Sequence, residues 1–349
     1  MKRQSVKETK KIINRGIQLL SFLLLMLITF YIIFSKNDIR TIYTAMKTLH
    51  PLALILTTAC AIFYVCAEGF MIWYLLRVSG KKTRLSLCFG YSFIGFFFSG
   101  ITPSATGGQP AQLVIMKKNG IPLGDATLTL MTVALLYKLV LVLIGTGLLL
   151  FWKDGLVTCL DGYTALYYLG LCLNLLFVIL LLLIMFHGEW IEKLLLSAEK
   201  IGVRLRLCKP SERRKAAFHR IVTDYQSAFR FFLSHKSKIL FVTFCTFLQR
   251  CSLFLLPCLI YRGMDLNGYH ALTIISLQAS IYISVDMLPL PGSQGISELM
   301  YHTVFAPVFP GNTLTASMCI TRGISFYFLL ILGAIISCRT FYSRGQQAE

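Results

Sequence analysis

The sequence predicts an all-α polytopic membrane protein of about six full transmembrane helices plus two re-entrant helical hairpins in an inverted-repeat-like arrangement. Three observations lead there. Of 349 residues, 56% are hydrophobic and 14% charged, with a mean hydropathy of +0.69; a soluble domain carries about a quarter charged residues. The apolar residues fall in long runs at 17–34, 52–76, 86–101, 126–151, 164–186, 239–261, 269–288, 296–309 and 316–338. Lys and Arg are confined almost entirely to the polar stretches between those runs, and their distribution among these stretches sets the number of crossings.

The elements follow in order. Residues 1–16 form a basic segment holding Lys2, Arg3, Lys7, Lys10, Lys11 and Arg15, which the positive-inside bias places in the cytoplasm. It leads into a full-length apolar run at 17–34 with no small-x-small cleavage site, so a permanent span is expected rather than a removed signal peptide. The 77–84 loop, with Arg77, Lys81, Lys82 and Arg84, is again cytoplasmic, two spans later. Lys117 and Lys118 mark the same face, whereas the loop with Lys153, Asp154 and Asp161 is weakly acidic and external. Residues 86–116 therefore enter and leave by the cytoplasmic face, as a hairpin within a first membrane half at 17–186. The 187–238 segment carries twelve bases and reads as cytoplasmic amphipathic helices on the leaflet surface, with His187, His219 and His235 as surface residues. In a second membrane half at 239–338, residues 269–309 must start and finish outside, as a second hairpin from the opposite face. A cytoplasmic tail, 339–349, carries Arg339 and Arg344. This topology puts 26 of the 34 Lys and Arg residues inside, five outside and three within spans. A nine-crossing arrangement would place the N-terminus and the twelve-base segment on opposite faces.

The composition also excludes classes of function. A net charge of +19 suggests nucleic acid, but the bases lie in loops that topology already explains, so no nucleic-acid partner is expected. A basic face toward anionic headgroups fits better. Most of the eleven cysteines lie in apolar runs without CxxC or Cys/His zinc spacing, so neither metal nor cofactor is predicted. A phosphate-binding GxxxxGK[ST] loop is missing too, leaving gradients or passive movement as the energy source.

Chemistry concentrates in the two hairpin tips. The first runs from Ser99 to Gln112 and includes Thr102, Pro103, Ser104, Thr106, Gly107, Gly108, Gln109 and Pro110. Its glycines permit close backbone approach, and its prolines break the helix and free carbonyls. A new helix N-terminus beside hydroxyls favours an anion such as phosphate; close helix packing through small residues is the competing reading. The second tip, Asp286 to Glu298, repeats this grammar with Pro289, Pro291, Gly292, Ser293, Gln294 and Gly295, and adds two carboxylates. Pro103 and Gly107 have the same spacing as Pro291 and Gly295, a faint repeat signal.

Intramembrane ionisable groups are costly and hence functional candidates. The acids are Glu68, Asp286 and Glu298; the bases are Lys138, Arg250 and Arg322. They form either structural ion pairs or the lining of a polar cavity for a charged headgroup. The predicted substrate-binding set is Thr102, Ser104, Thr106, Gly107, Gly108, Gln109, Lys138, Arg250, Asp286, Pro291, Gly292, Ser293, Gln294, Glu298 and Arg322, with no catalytic residue.

The runs Thr102–Pro110 and Leu288–Glu298 resemble the transmembrane region of lysylphosphatidylglycerol synthases, a family with stand-alone flippase-like members, over about residues 15 to 340. The resemblance implies movement of a phospholipid between leaflets of a bacterial inner membrane. In full-length members the cargo is aminoacylated phosphatidylglycerol, which protects against cationic antimicrobial peptides. It implies as partners anionic or aminoacylated membrane phospholipids, and it is compatible with a homo-oligomer. The chain ends at Glu349, eleven residues after Cys338, so a stand-alone member without the soluble synthase domain is expected, not an enzyme by itself. Two other readings stay open: the membrane subunit of a phosphatidylglycerol lysyltransferase served by a separate catalytic domain, and a small-solute secondary transporter.

Overall fold

The computed structural model describes residues 49–102, 105–160, 162–186, 233–293 and 295–342, with scattered positions at 43–47 and 193–231. The expected basic N-terminus 1–16, the span 17–34, most of the 187–238 segment and residues 343–349 lie outside the described residues.

Regular structure among the described residues is entirely helical. It comprises α1 (Pro51–Val78), α2 (Leu85–Ile101), α3 (Gly108–Lys118), α4 (Leu123–Phe151), α5 (Lys153–Leu160), α6 (Thr164–Phe186), α7 (Lys236–Phe254), α8 (Leu256–Gly263), α9 (Ala271–Val285), α10 (Ile296–Val304), α11 (Asn312–Arg322) and α12 (Leu329–Tyr342). A 3₁₀ turn at Pro291–Ser293 precedes α10, and a π-helical stretch at Gly323–Phe328 joins α11 to α12. Among the described residues, five stretches are long and apolar enough to cross a membrane: Pro51–Val78, Leu123–Phe151, Thr164–Leu183, Lys236–Gly263 and Asn312–Thr340. The chain is a polytopic helical membrane protein.

Two pairs of shorter helices fold back on themselves. At 1.5 Å per residue, α2 reaches about 26 Å and α9 about 22 Å, short of the roughly 30 Å hydrocarbon core. In the first pair, Asn119 at the end of α3 donates from Nδ2 to Tyr91 Oη in the first half of α2, at 2.5 Å. Lys81, before α2, pairs with Asp125 at the start of α4 at 3.2 Å. The chain therefore goes in and comes back to the end of the bundle where α1 finishes. In the second pair, the Tyr261 ring meets Phe309 at 5.5 Å, and the Tyr261 hydroxyl accepts from Tyr269 N–H at 3.3 Å. Residues 261, 269 and 309 thus share one end. That end is where α1 begins, because His50 N–H donates to Gly263 C=O at 2.8 Å. The two hairpins therefore enter from opposite ends of the bundle, and the Pro291–Ser293 turn of the second touches α2 of the first.

Glycine sets how closely each hairpin is held. A Cβ on Gly333 of α12 would stand 2.7 Å from the Phe93 carbonyl oxygen of α2. A Cβ on Gly170 of α6 would stand 2.7 Å from Ser284 Cα of α9. Such backbone-to-backbone approach is how helices associate where burial from water supplies little drive. Two features differ from expectation. The loop after α4, expected to be external, contains the helix α5, whose Leu156 and Leu160 are fully buried; eight residues with two charges at the start were too short a signal. The last span is interrupted by the π stretch directly after Arg322.

Candidate functional site

Between the hairpin tips lies a cavity of about 200 Å³. Hairpin one contributes Ser99, Gly100 and Ala105, and hairpin two contributes Asp286, Gly292, Ser293 and Ser297. Tyr64, Tyr137, Arg250 and Gln278 line its wall from α1, α4, α7 and α9, while Arg322, Ser325 and Phe326 come from the last span. The π stretch carries Ser325 and Phe326, and such bulges occur often at functional sites because they re-aim side chains out of the ordinary register.

Among the described residues, each tip holds one non-glycine residue in the left-handed region, Ala105 (φ 54°) and Ser293 (φ 53°), and both face the cavity. Side-chain residues rarely take this conformation without support from their surroundings. At Ser293 the support is visible: its hydroxyl donates to Val285 C=O at 3.0 Å, and its own carbonyl accepts from Ser297 Oγ at 2.8 Å. Gly292 (φ 57°) adjoins it, and a Cβ there would lie 2.5 Å from the Phe326 ring.

The acids and bases sort into two pairs and two remainders. Lys138 Nζ donates to Asp286 Oδ2, and Tyr137 Oη donates to Asp286 Oδ1. Arg322 Nε donates to Glu298 Oε1 at 2.7 Å, and Arg322 Nη2 donates to Gly292 C=O at 3.0 Å. The second Glu298 oxygen accepts from Gly295 N–H at 2.7 Å and Ser297 Oγ at 2.9 Å. Glu298 thus caps the start of α10 while bridging it to α11. Glu68 is a remainder: its Oε1 accepts from Gln112 Nε2 at 2.8 Å, away from the cavity lining.

Arg250 is the other. It is 6% exposed, and among the described residues it has no carboxylate partner. Its guanidinium is held between aromatic rings, 3.9 Å from the Tyr137 centroid and 4.7 Å from that of Tyr64. Nη1 donates to Tyr64 Oη at 3.1 Å and Nη2 to Gln249 Oε1 at 3.4 Å, whereas Nε has no acceptor. Gln278 Oε1, on the same cavity wall, is also buried without a donor. Ser325 Oγ, in the same lining, is a third such atom; buried polar groups are nearly always satisfied, so this grouping makes the cavity the candidate binding site.

Of the predicted set, Arg250, Asp286, Gly292, Ser293 and Arg322 line the cavity, with Lys138 and Glu298 directly behind them. Pro291 opens the 3₁₀ turn of the second tip. The first tip is placed differently. Thr102 Oγ1 donates to Phe98 C=O at 2.7 Å and accepts from Gly107 N–H at 2.9 Å, closing the turn on itself. The expectation that the helix break leaves this N–H open for an anion is therefore corrected at Gly107. A Cβ on Gly108 would overlap Ser99 Oγ and come within 2.7 Å of the Gly95 carbonyl oxygen, so close packing accounts for this glycine. Thr106 and Gln109 are exposed, outside the cavity lining. Ser104 and Gln294 lie outside the described residues. Tyr64, Tyr137 and Gln278 were not predicted. Tyr137 precedes Lys138, and a phenol beside an intramembrane charge is the one local signal that could have found it.

A model of the lysylphosphatidylglycerol synthase transmembrane region matches residues 18–333. A UPF0104 membrane protein of Archaeoglobus fulgidus is 24% identical over 313 residues, covering 87% of this chain and 91% of that protein. No solved structure matches. With the family match running almost from end to end, the chain belongs to the lysylphosphatidylglycerol synthase transmembrane-region family.

Proposed function

We propose that the chain is a lipid flippase or transporter that moves a phospholipid between leaflets of a bacterial cell membrane, with both termini cytoplasmic. The observation that carries this reading is the buried Arg250, with no carboxylate partner among the described residues and an open Nε–H, in a polar cavity where two oppositely inserted hairpins meet. Hairpins of this kind flank the midplane site of alternating-access transporters, where one repeat rocks against the other. A guanidinium held between tyrosine rings suits a phosphate group, since its planar fork matches phosphate geometry. The cavity is too small to enclose acyl chains, so the tails would stay in the bilayer while the headgroup crosses.

The test is the leaflet distribution of phosphatidylglycerol and its aminoacylated form in cells with and without the chain, read with a membrane-impermeant amine or headgroup reagent. A change in sidedness on deletion is expected. Unchanged distribution of every lipid would end the flippase reading.

A further inference from the structure

We infer that the cavity is a site for a singly charged phosphodiester whose remaining headgroup is uncharged and hydroxylated, and that it discriminates against aminoacylated headgroups. The inference rests on the flippase reading only for the lipid source of that phosphodiester.

Charge accounting leads to it. Two cations facing or backing the cavity, Lys138 and Arg322, are each matched to one carboxylate. Both oxygens of Asp286 are engaged, by Tyr137 and Lys138. Both oxygens of Glu298 are engaged, by Arg322 on one side and by Gly295 N–H and Ser297 on the other. Among the described residues, no carboxylate in the lining is left to receive an ammonium group. Glu68 lies within electrostatic range of Arg250, but it accepts its hydrogen bond from Gln112 outside the lining. The surplus is one cation, Arg250, with an open Nε–H.

A buried cation whose nearest neighbours are aromatic faces and neutral oxygens is complemented by one negative charge. A phosphodiester supplies that charge and accepts from the guanidinium. The other open groups point to the rest of the ligand: Gln278 Oε1 needs a donor, Ser325 Oγ can donate or accept, and an alcohol serves both without adding charge. The cavity of about 200 Å³ has room for a phosphate and a short polyol. A lysyl ester would bring a second positive charge, and a long flexible chain, into a site already holding one cation too many. The substrate class is therefore the unmodified anionic headgroup, of the phosphatidylglycerol type, and not the aminoacylated product that the family description evokes.

Two sources share this chemistry, a lipid headgroup and a soluble glycerophosphodiester. The experiment uses the full chain in detergent and measures thermal stabilisation by dihexanoyl phosphatidylglycerol, its lysyl ester and glycerophosphoglycerol at matched concentrations. Apparent affinity for dihexanoyl phosphatidylglycerol at least tenfold above that for its lysyl ester is expected, with Arg250→Gln abolishing the difference and Arg250→Lys restoring part of it. Equal or tighter binding of the lysyl ester overturns the inference, and this comparison needs only the wild-type chain should the variants fail to fold. Glycerophosphoglycerol binding as tightly as the lipid would keep the phosphodiester assignment and move the ligand to a soluble source. Selective binding without any leaflet transfer in proteoliposomes would sink the flippase reading alone.

Discussion

The two hairpin tips share a vocabulary of proline, glycine and serine, yet they are held by different physics. Tip one, from Ser99 to Gly108, carries no charge and is fixed by steric fit: Gly108 lies against Ser99 and Gly95, and Thr102 closes the turn internally. Tip two, from Asp286 to Glu298, is anchored by Asp286 to Lys138 of α4 and by Glu298 to Arg322 of the last span. Similar sequence grammar therefore conceals one packed element and one electrostatically clamped element. The cavity between them inherits a smooth wall from the first and fixed charges from the second. A transporter needs elements that move relative to one another, and a clamp of two ion pairs offers a discrete set of contacts to exchange.

The contrast can be broken most severely at the clamp. Arg322→Ala leaves Glu298 buried without its cation and should cost about 3–5 kcal/mol, the range for breaking one side of a buried pair. Replacing both residues, Arg322→Leu with Glu298→Leu, should recover a large part of that loss; thermal melts of the purified protein would show it, and a double variant worse than either single would refute the clamp.

A smaller effect is expected at the packed tip. Gly108→Ala forces α3 off the Gly95 carbonyl and should destabilise by about 1–3 kcal/mol, the usual cost of overpacking. Ser99→Gly in the same chain removes one of the two obstructions and should return part of the stability. No such rescue is open to Gly292→Ala, where a positive φ compounds the contact with Phe326.

The smallest effect distinguishes how the tips tolerate strain. Ala105→Gly relieves a left-handed residue and should be neutral or stabilising by up to about 1 kcal/mol. Ser293→Gly relieves the same strain but removes the hydroxyl bonded to Val285, so no gain is expected. Parallel denaturation of the two variants would reveal whether this asymmetry exists.

Much of the architecture was legible in the sequence because lipid forces polar backbone to pair internally and bases to collect on one side. The Lys and Arg distribution alone required the 86–116 and 269–309 segments to turn back, and the helices α2–α3 and α9–α10 form such pairs. The pairing of Lys138 with Asp286, nearly 150 residues apart, was not legible, because sequence spacing carries no information about which helix faces meet. The same holds for Arg250, whose neighbours Tyr64 and Tyr137 come from two other spans. The role of Gly108 was ambiguous for a different reason: a glycine that admits a ligand and one that admits a neighbouring helix have the same chemistry, and only the proximity of Gly95 decides. The π stretch after Arg322 left no pattern, since one residue of register shift within an apolar span changes no residue type.

The central claim is that a phospholipid headgroup crosses by way of Arg250. Proteoliposomes containing the purified chain and a trace of tail-labelled phosphatidylglycerol test it directly, with the outer leaflet quenched chemically. Wild-type protein should expose inner-leaflet label at least tenfold faster than protein-free vesicles, and Arg250→Gln, if folded, should return the rate to that background. Background transfer by the folded wild-type chain, or full transfer by the folded Arg250→Gln variant, would contradict the account.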